Sequence, residues 1–353
     1  MKHSLPIIKG RGAQINTANR FHSEHSTDNP NVFEEEGFRV KTEFLKVYPK
    51  SIVNKVTSPD VGMDWSLNPY QGCEHGCVYC YARNSHNYWG YSAGLDFESK
   101  ILVKHNAAKL LRKKLASKNW KASPIMLSGN TDCYQPAERH FKITRQLLGV
   151  FRDFGHPVGI VTKNDLILRD LDLLEELQSH HLVKVAISIN TLNEDIRSFL
   201  EPRTSTIDKR LEAIRVLSEK GIPVTALAAP IIPGLTSEGI LELGKACAEA
   251  GAKNIHHILV RLNGDIASIF QDWIRKTYPD RADKVLNQIA ATHKGKLNDS
   301  HFKHRMRGSG PLADIIAAQF QLARKKFFSK KEKYTLNCSK YHQLKHPNQL
   351  SLF

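Results

Sequence analysis

The stretch NPYQGCEHGCVYCYAR, residues 68–83, places Cys73, Cys77 and Cys80 within eight positions, with Gly72 and Gly76 beside the first two and Tyr79 before the last. The other cysteines, Cys133, Cys247 and Cys338, are scattered. That is a poor disulfide framework, and clustered thiols in a reducing compartment point to metal. Structural zinc needs four ligands, and no second cysteine pair lies nearby; His75 is a strained candidate because it sits inside the loop. Three thiolates can instead hold three irons of a cubane and leave the fourth iron open. The two glycines allow the backbone to fold tightly around such a group.

Beyond the cysteines the pattern alternates. Residues 124–129, 157–162, 183–189, 223–229 and 255–261 read as short buried strands, and stretches such as RHFKITRQLLGVFRDF (139–154) and TIDKRLEAIRVLSEKG between them carry a helical period. Glycines at 155, 221 and 251 stand where left-handed caps end helices. With one more strand near MDWSLNPY, about six β-α units result, so the sheet is expected to be parallel. The fold class expected is α/β, a partial (β/α)6 TIM-like barrel. The cysteine loop then follows the first strand, at the end where such barrels build their sites. The expected organisation is an irregular arm over 1–60, the barrel over 61–265, a helical extension over 266–335 and a polar tail over 336–353.

The 353 residues contain 51 Lys and Arg against 35 Asp and Glu, a net charge of +16. Such an excess suits a polyanionic partner, nucleic acid above all. KLLRKKLASKNWK, residues 109–121, reads as an amphipathic helix with a solvated basic face. RKKFFSKKEKY, residues 324–334, interleaves cations with Phe327 and Phe328, which suits either strand contact or docking of both rings on the core. With no apolar run near the ~20 residues of a membrane span, a cytoplasmic, monomeric enzyme without membrane attachment is expected.

The pattern of Cys73, Cys77, Tyr79 and Cys80 resembles the signature of the radical S-adenosylmethionine (SAM) superfamily. Further stretches, including GRGAQIN, GLDFESKILVK, TDCYQPAE, EPRTS and APIIPGLT, resemble its PA0069-type (Rv2578c-like) subfamily, which is grouped with spore photoproduct lyase among DNA repair photolyase-like proteins. The resemblance implies a [4Fe–4S] cluster on the three cysteines, with SAM on the open iron. It also implies reductive cleavage of SAM to a 5′-deoxyadenosyl radical that abstracts hydrogen from a substrate, here a nucleic-acid base or lesion. Radical modification of a protein, a tRNA or a metabolite is the alternative enzyme, and a cluster-bearing nucleic-acid binder without turnover the alternative class. A flavodoxin or ferredoxin is the expected reductant.

By the same resemblance, Ser128, Gly129 and Asn130 would meet the methionine amine through backbone oxygens. Asp132, Tyr134 and Glu138 would face cofactor or substrate, Ser188 and Asn190 the ribose, and Arg203 the methionine carboxylate, with Glu201 or Arg210 sharing that task. Tyr79 and APIIPGLT would pack on adenine, and Cys133 would return a hydrogen atom to the product radical. The stretch QLSLF, Gln349 to Phe353, resembles the pentapeptide that docks on the DNA sliding clamp.

Overall fold

A computed structural model describes residues 7–19, 21, 40–328 and 334–341. The pentapeptide at 349–353 lies outside the described residues. The strands are β1 (Glu43–Val47), β2 (Val53–Lys55), β3 (Trp65–Leu67), β4 (Tyr70–Gln71), β5 (Lys100–Lys104), β6 (Ile125–Leu127), β7 (Val158–Thr162), β8 (Val183–Ser188), β9 (Val224–Ile231) and β10 (Asn254–Leu259). Seven of them form one sheet in the order β10-β9-β8-β7-β6-β3-β2. All its pairings are parallel except β2 on β3. Six parallel strands with an open seam are the expected α/β partial barrel. A second sheet, β1-β5-β4, lies outside it.

Parallel neighbours need a crossover, and helices Ile143–Asp153, Leu171–Gln178, Ile207–Glu219 and Ile240–Glu249 supply four of them. Each turns an apolar stripe inward; Leu147, Leu148, Val150 and Phe151 do so on the first. They pack on fully buried strand residues such as Ile125, Val158, Val183 and Val224. Burying side chains of this size stabilises the fold by roughly 1.5–3 kcal/mol each. Gly221 (φ 72°) and Gly251 (φ 101°) hold the left-handed turns after two of these helices. A Cβ on Gly251 would also come within 2.7 Å of Ser218 Cβ.

Two local expectations differ from the structure. Residues 1–60 contain β1 and β2, short strands whose mostly exposed residues present no buried face and so no periodic signal. The helical period at 139–154 breaks at Lys142 (φ 50°), because the Glu138 carboxylate draws in the backbone N–H of Thr144 at 3.0 Å. Of the two readings of Phe327 and Phe328, the structure shows the docking one: both rings pack on the main core.

The seam is bridged from outside the sheet. The Leu259 N–H at the end of β10 donates to the Met306 carbonyl at 3.0 Å. Asp60, just after β2, accepts the Lys303 N–H at 2.6 Å and Arg305 Nε at 2.5 Å. Residues 303–306 thus reach both edges of the open sheet, where unpaired backbone would otherwise lie exposed. Among the described residues no helix is long and apolar enough to cross a membrane.

Candidate active site

The cysteine loop is held by buried charge. Arg83 donates to the Cys77 carbonyl at 2.9 Å and the Gly76 carbonyl at 3.1 Å, fixing the chain between the first two cysteines. Its guanidinium also pairs with Glu98, and both side chains are completely buried. Glu98 in turn accepts the N–H groups of Gly12 (3.0 Å) and Ala13 (2.7 Å), so GRGA is laid directly over the loop. The approach admits only glycine: a Cβ on Gly12 would sit 1.7 Å from the Gly76 carbonyl oxygen. Gly76 itself has φ 68°, and its Cβ would meet Glu98 Oε2 at 2.7 Å. A buried ion pair with further donors on its carboxylate is costly to break from one side.

Cys73, Cys77 and Cys80 all line one cleft of about 560 Å³. Burial pushes the Cys73 thiol well up, with Asp132, Cys77 and Cys80 adding to it. Burial also raises Cys77; Lys163 opposes the rise while Glu201 and Cys80 reinforce it. Thiols that penalise one another's ionisation need a cation to become thiolates together, and iron provides that. The zinc alternative fits poorly. Both ring nitrogens of His75 are engaged, Nδ1 with Asp132 at 3.4 Å and Nε2 with Asn164 at 3.2 Å. Among the described residues no three His, Cys, Asp or Glu side chains converge on a single-ion position. Three soft donors around a glycine-shaped loop suit a cluster with one thiolate per iron.

Tyr79, Ser128, Gly129, Asn130, Asp132 and Ser188 line the same cleft. Ser128 adopts φ 75°, and its hydroxyl accepts the Cys133 N–H at 2.8 Å, which turns the 128–130 backbone across the strand ends. The Gly129 carbonyl is already taken by the Tyr81 hydroxyl. Asp132 accepts from Tyr134 N, Thr162 Oγ1 and Lys163 N at 2.8 Å each, besides His75. Burial alone would raise its pKa, but His75 and these donors hold it below the usual carboxylate value. With both oxygens engaged, Asp132 ties the loop after β6 to the end of β7. The Tyr79 hydroxyl donates to Glu201, which pairs with Arg210 at 2.5 Å in full burial.

Several expected contacts are not made. Cys133 and Tyr134 are fully buried outside the cleft: Cys133 lies in the main core, and the Tyr134 hydroxyl reaches Asp170 at 3.2 Å. Neither faces a substrate position, because the Asx turn at Asp132 sends the chain inward. Glu138 is likewise buried, on Tyr70, Thr144 and Arg169. Arg203 pairs with Glu74 at 3.2 Å behind the cysteine loop and does not line the cleft, and neither Glu201 nor Arg210 lines it. Asn190 stands just outside, donating to the Pro230 carbonyl at 3.2 Å with its own buried oxygen unpartnered.

Other residues enter the site besides those expected to meet cofactor or substrate. Ser66 lies against Gly129, where a Cβ would come within 2.9 Å of Ser66 Cβ. Arg261 and Arg305 line the side away from the cysteines in strand order. Lys163 is kept cationic: burial works against its charge, but Cys77, Glu201, Cys80 and Asp132 outweigh it. Its place at a strand end was a signal; that of Arg305, in a segment without periodicity, was not.

Comparison with known proteins agrees with this geometry. Residues 67–247 match the Radical SAM superfamily. Rv2578c of Mycobacterium tuberculosis, an uncharacterised protein, is 32% identical over 240 residues, covering 67% of this chain and 71% of that one. MJ0683 of Methanocaldococcus jannaschii, also uncharacterised, is 29% identical over 250 residues, covering 71% and 89%. Among solved structures, spore photoproduct lyase complexed with a dinucleoside spore photoproduct shares the fold, with a TM-score of 0.58 at 18% identity over 81% of this chain and 79% of that one. The match covers half the chain and begins just ahead of the loop that carries the three cysteines: the protein belongs to the radical SAM superfamily and is a radical SAM enzyme.

Proposed function

We propose that this enzyme acts on a nucleic-acid base or base lesion by hydrogen abstraction. The observation that carries the reading is the element directly after Cys80. The 3-10 helix Tyr81–Trp89 presents Tyr81 (51% exposed), Tyr88 (77%) and Trp89 (44%) to solvent, and Tyr81 lines the cleft. Tyr81 shares the cleft with Arg261, and an exposed ring near a cation suits a stacked base and its phosphate. The fold shared with a lyase solved with a dinucleoside lesion supports the same substrate class.

Cys73, Cys77 and Cys80 would hold the cluster, and the 128–130 backbone with Ser188 would hold SAM. When bound, these groups supply the electron and the hydrogen-abstracting adenosyl radical. The chain's own part is to orient and to exclude water: Arg83, Glu98 and GRGA fix the loop, Asp132 fixes the opposite turn, and Tyr79, Ala229 and Pro230 wall the cleft with apolar surface. Docking on a sliding clamp through Gln349–Phe353 fits a DNA substrate and rests on sequence pattern alone; deleting those five residues should abolish clamp binding.

The test is anaerobic reconstitution, reduction with dithionite and measurement of 5′-deoxyadenosine from SAM, then repetition with deuterated DNA. Label entering the product, and its loss in Cys77→Ala, is expected. Turnover with label only from peptide, tRNA or a metabolite would move the substrate elsewhere. No turnover from a protein with an intact cluster would leave a binding module.

A further inference from the structure

The cations of the cleft are not equivalent. Lys163 makes no direct side-chain bond among the described residues either, but it stands among thiols and carboxylates at the cysteine end, so its charge has an internal reason. Arg305 is balanced by Asp60 at 2.5 Å, with Ser58 Oγ a second acceptor at 2.6 Å and its guanidinium over the Phe302 ring at 4.5 Å. Arg261 is different. It follows β10, lines the cleft and is half-buried, yet no hydrogen bond or ion pair joins its side chain to another described residue. Its position is set by the backbone on both sides: the Val260 N–H is held by the Ile231 carbonyl at 2.9 Å and the Leu262 N–H by the Leu297 carbonyl at 2.9 Å.

We infer that Arg261, supported by Arg305 across the seam, is a subsite for a phosphate group of the substrate. A guanidinium that makes no bond to the described protein keeps its five donors for a ligand, and its planar fork matches phosphate oxygens bidentately. Asp60 faces two guanidinium groups and balances only one, which leaves a positive charge at this wall. Burial and the like charge of Arg305 already lower the Arg261 pKa, against the opposing pull of Tyr81 and Asp60. An incoming anion relieves both. Tyr81 lines the cleft with Arg261, so a base stacked there would bring its own phosphate toward this wall. The inference rests on the nucleic-acid reading and specifies which wall reads the backbone.

The experiment measures binding of a fluorescein-labelled ten-nucleotide thymidine strand to the reconstituted enzyme by anisotropy, over a range of salt. In Arg261→Gln the affinity should fall about 10-fold, the loss of one charge-assisted contact. The slope of log affinity against log salt should become shallower by about 0.7, the value for one phosphate on a single strand. Arg261→Lys should restore the slope while recovering only part of the affinity. SAM affinity by equilibrium dialysis, the visible absorption of the cluster and the melting midpoint should be unchanged in both variants. Unchanged strand affinity and slope in Arg261→Gln overturns the subsite while leaving the nucleic-acid reading intact. Lost SAM binding with unchanged strand binding assigns the guanidinium to the cofactor's carboxylate and also overturns it. A wild-type enzyme that does not bind the strand removes the nucleic-acid reading and the subsite together.

Discussion

The two ends of the cleft are built on opposite principles. At the cysteine end the buried charges are mostly closed into pairs: Arg83 with Glu98, Glu201 with Arg210, Asp132 with His75 and three donors, while Lys163 is held by nearby thiols and carboxylates without a direct bond. At the seam, Arg261 faces the cleft with no described partner, and Arg305 is tied to Asp60 from outside the sheet. A loop that must hold a cluster in one geometry benefits from being over-determined. A wall that must accept a substrate benefits from donors left unmet. The difference fits rigidity at the cysteine end and, on the proposed subsite, recognition at the seam.

The comparison breaks most easily at Glu98. Glu98→Ala strands the Arg83 guanidinium and two backbone N–H groups in the interior, and should cost about 3–5 kcal/mol in denaturant unfolding. A loss below ~1 kcal/mol would mean the cysteine end is not over-determined. Next in size is a pH effect remote from both ends. His156 is fully buried and kept neutral, its pKa lowered to about 4 by burial, while Trp120 Nε1 donates to its Nε2 at 3.0 Å. The folded value lies below the unfolded one, so stability is complete above pH ~6.5 and is lost as pH falls toward 4, by on the order of 3 kcal/mol at most. His156→Gln should flatten that slope; an unchanged acid limb would assign it to other groups, such as His86.

Gly12→Ala should cost about 1–3 kcal/mol by forcing GRGA off the loop. It should also lower iron content per chain after reconstitution, which a generally destabilised surface would not do selectively. The smallest effect is expected for Tyr81→Phe, which frees the Gly129 carbonyl at a half-exposed position: about 0.5–1 kcal/mol or less in stability. A change in SAM affinity larger than that in strand affinity would show that Tyr81 serves the 128–130 backbone rather than a base.

Much of the architecture was legible because its signals are local. Apolar runs of strand length, helical periods between them and glycines after the helices predicted the strands at 158–162, 183–188 and 224–231 and their crossovers. The cysteine spacing and its flanking glycines located the loop. Cys133 and Tyr134 were misplaced because sequence position cannot tell which side of a turn faces the cleft. The Asx turn at Asp132 rotates both residues into the core. Arg203 was misplaced because its partner, Glu74, is 129 residues away in sequence and within a salt bridge only in the fold.

By itself, the sequence determined the repeating β-α units and a glycine-flanked loop of three thiols, since both rest on spacings within one or a few turns of chain. Only the tertiary structure decided that GRGA covers that loop, that Arg83 finds Glu98 beneath it, and that Arg261 faces the cleft while Arg203 does not. Those outcomes depend on which side chains meet across distant elements. A buried charge takes whatever partner the packing brings within about 3 Å, and no local pattern encodes that meeting.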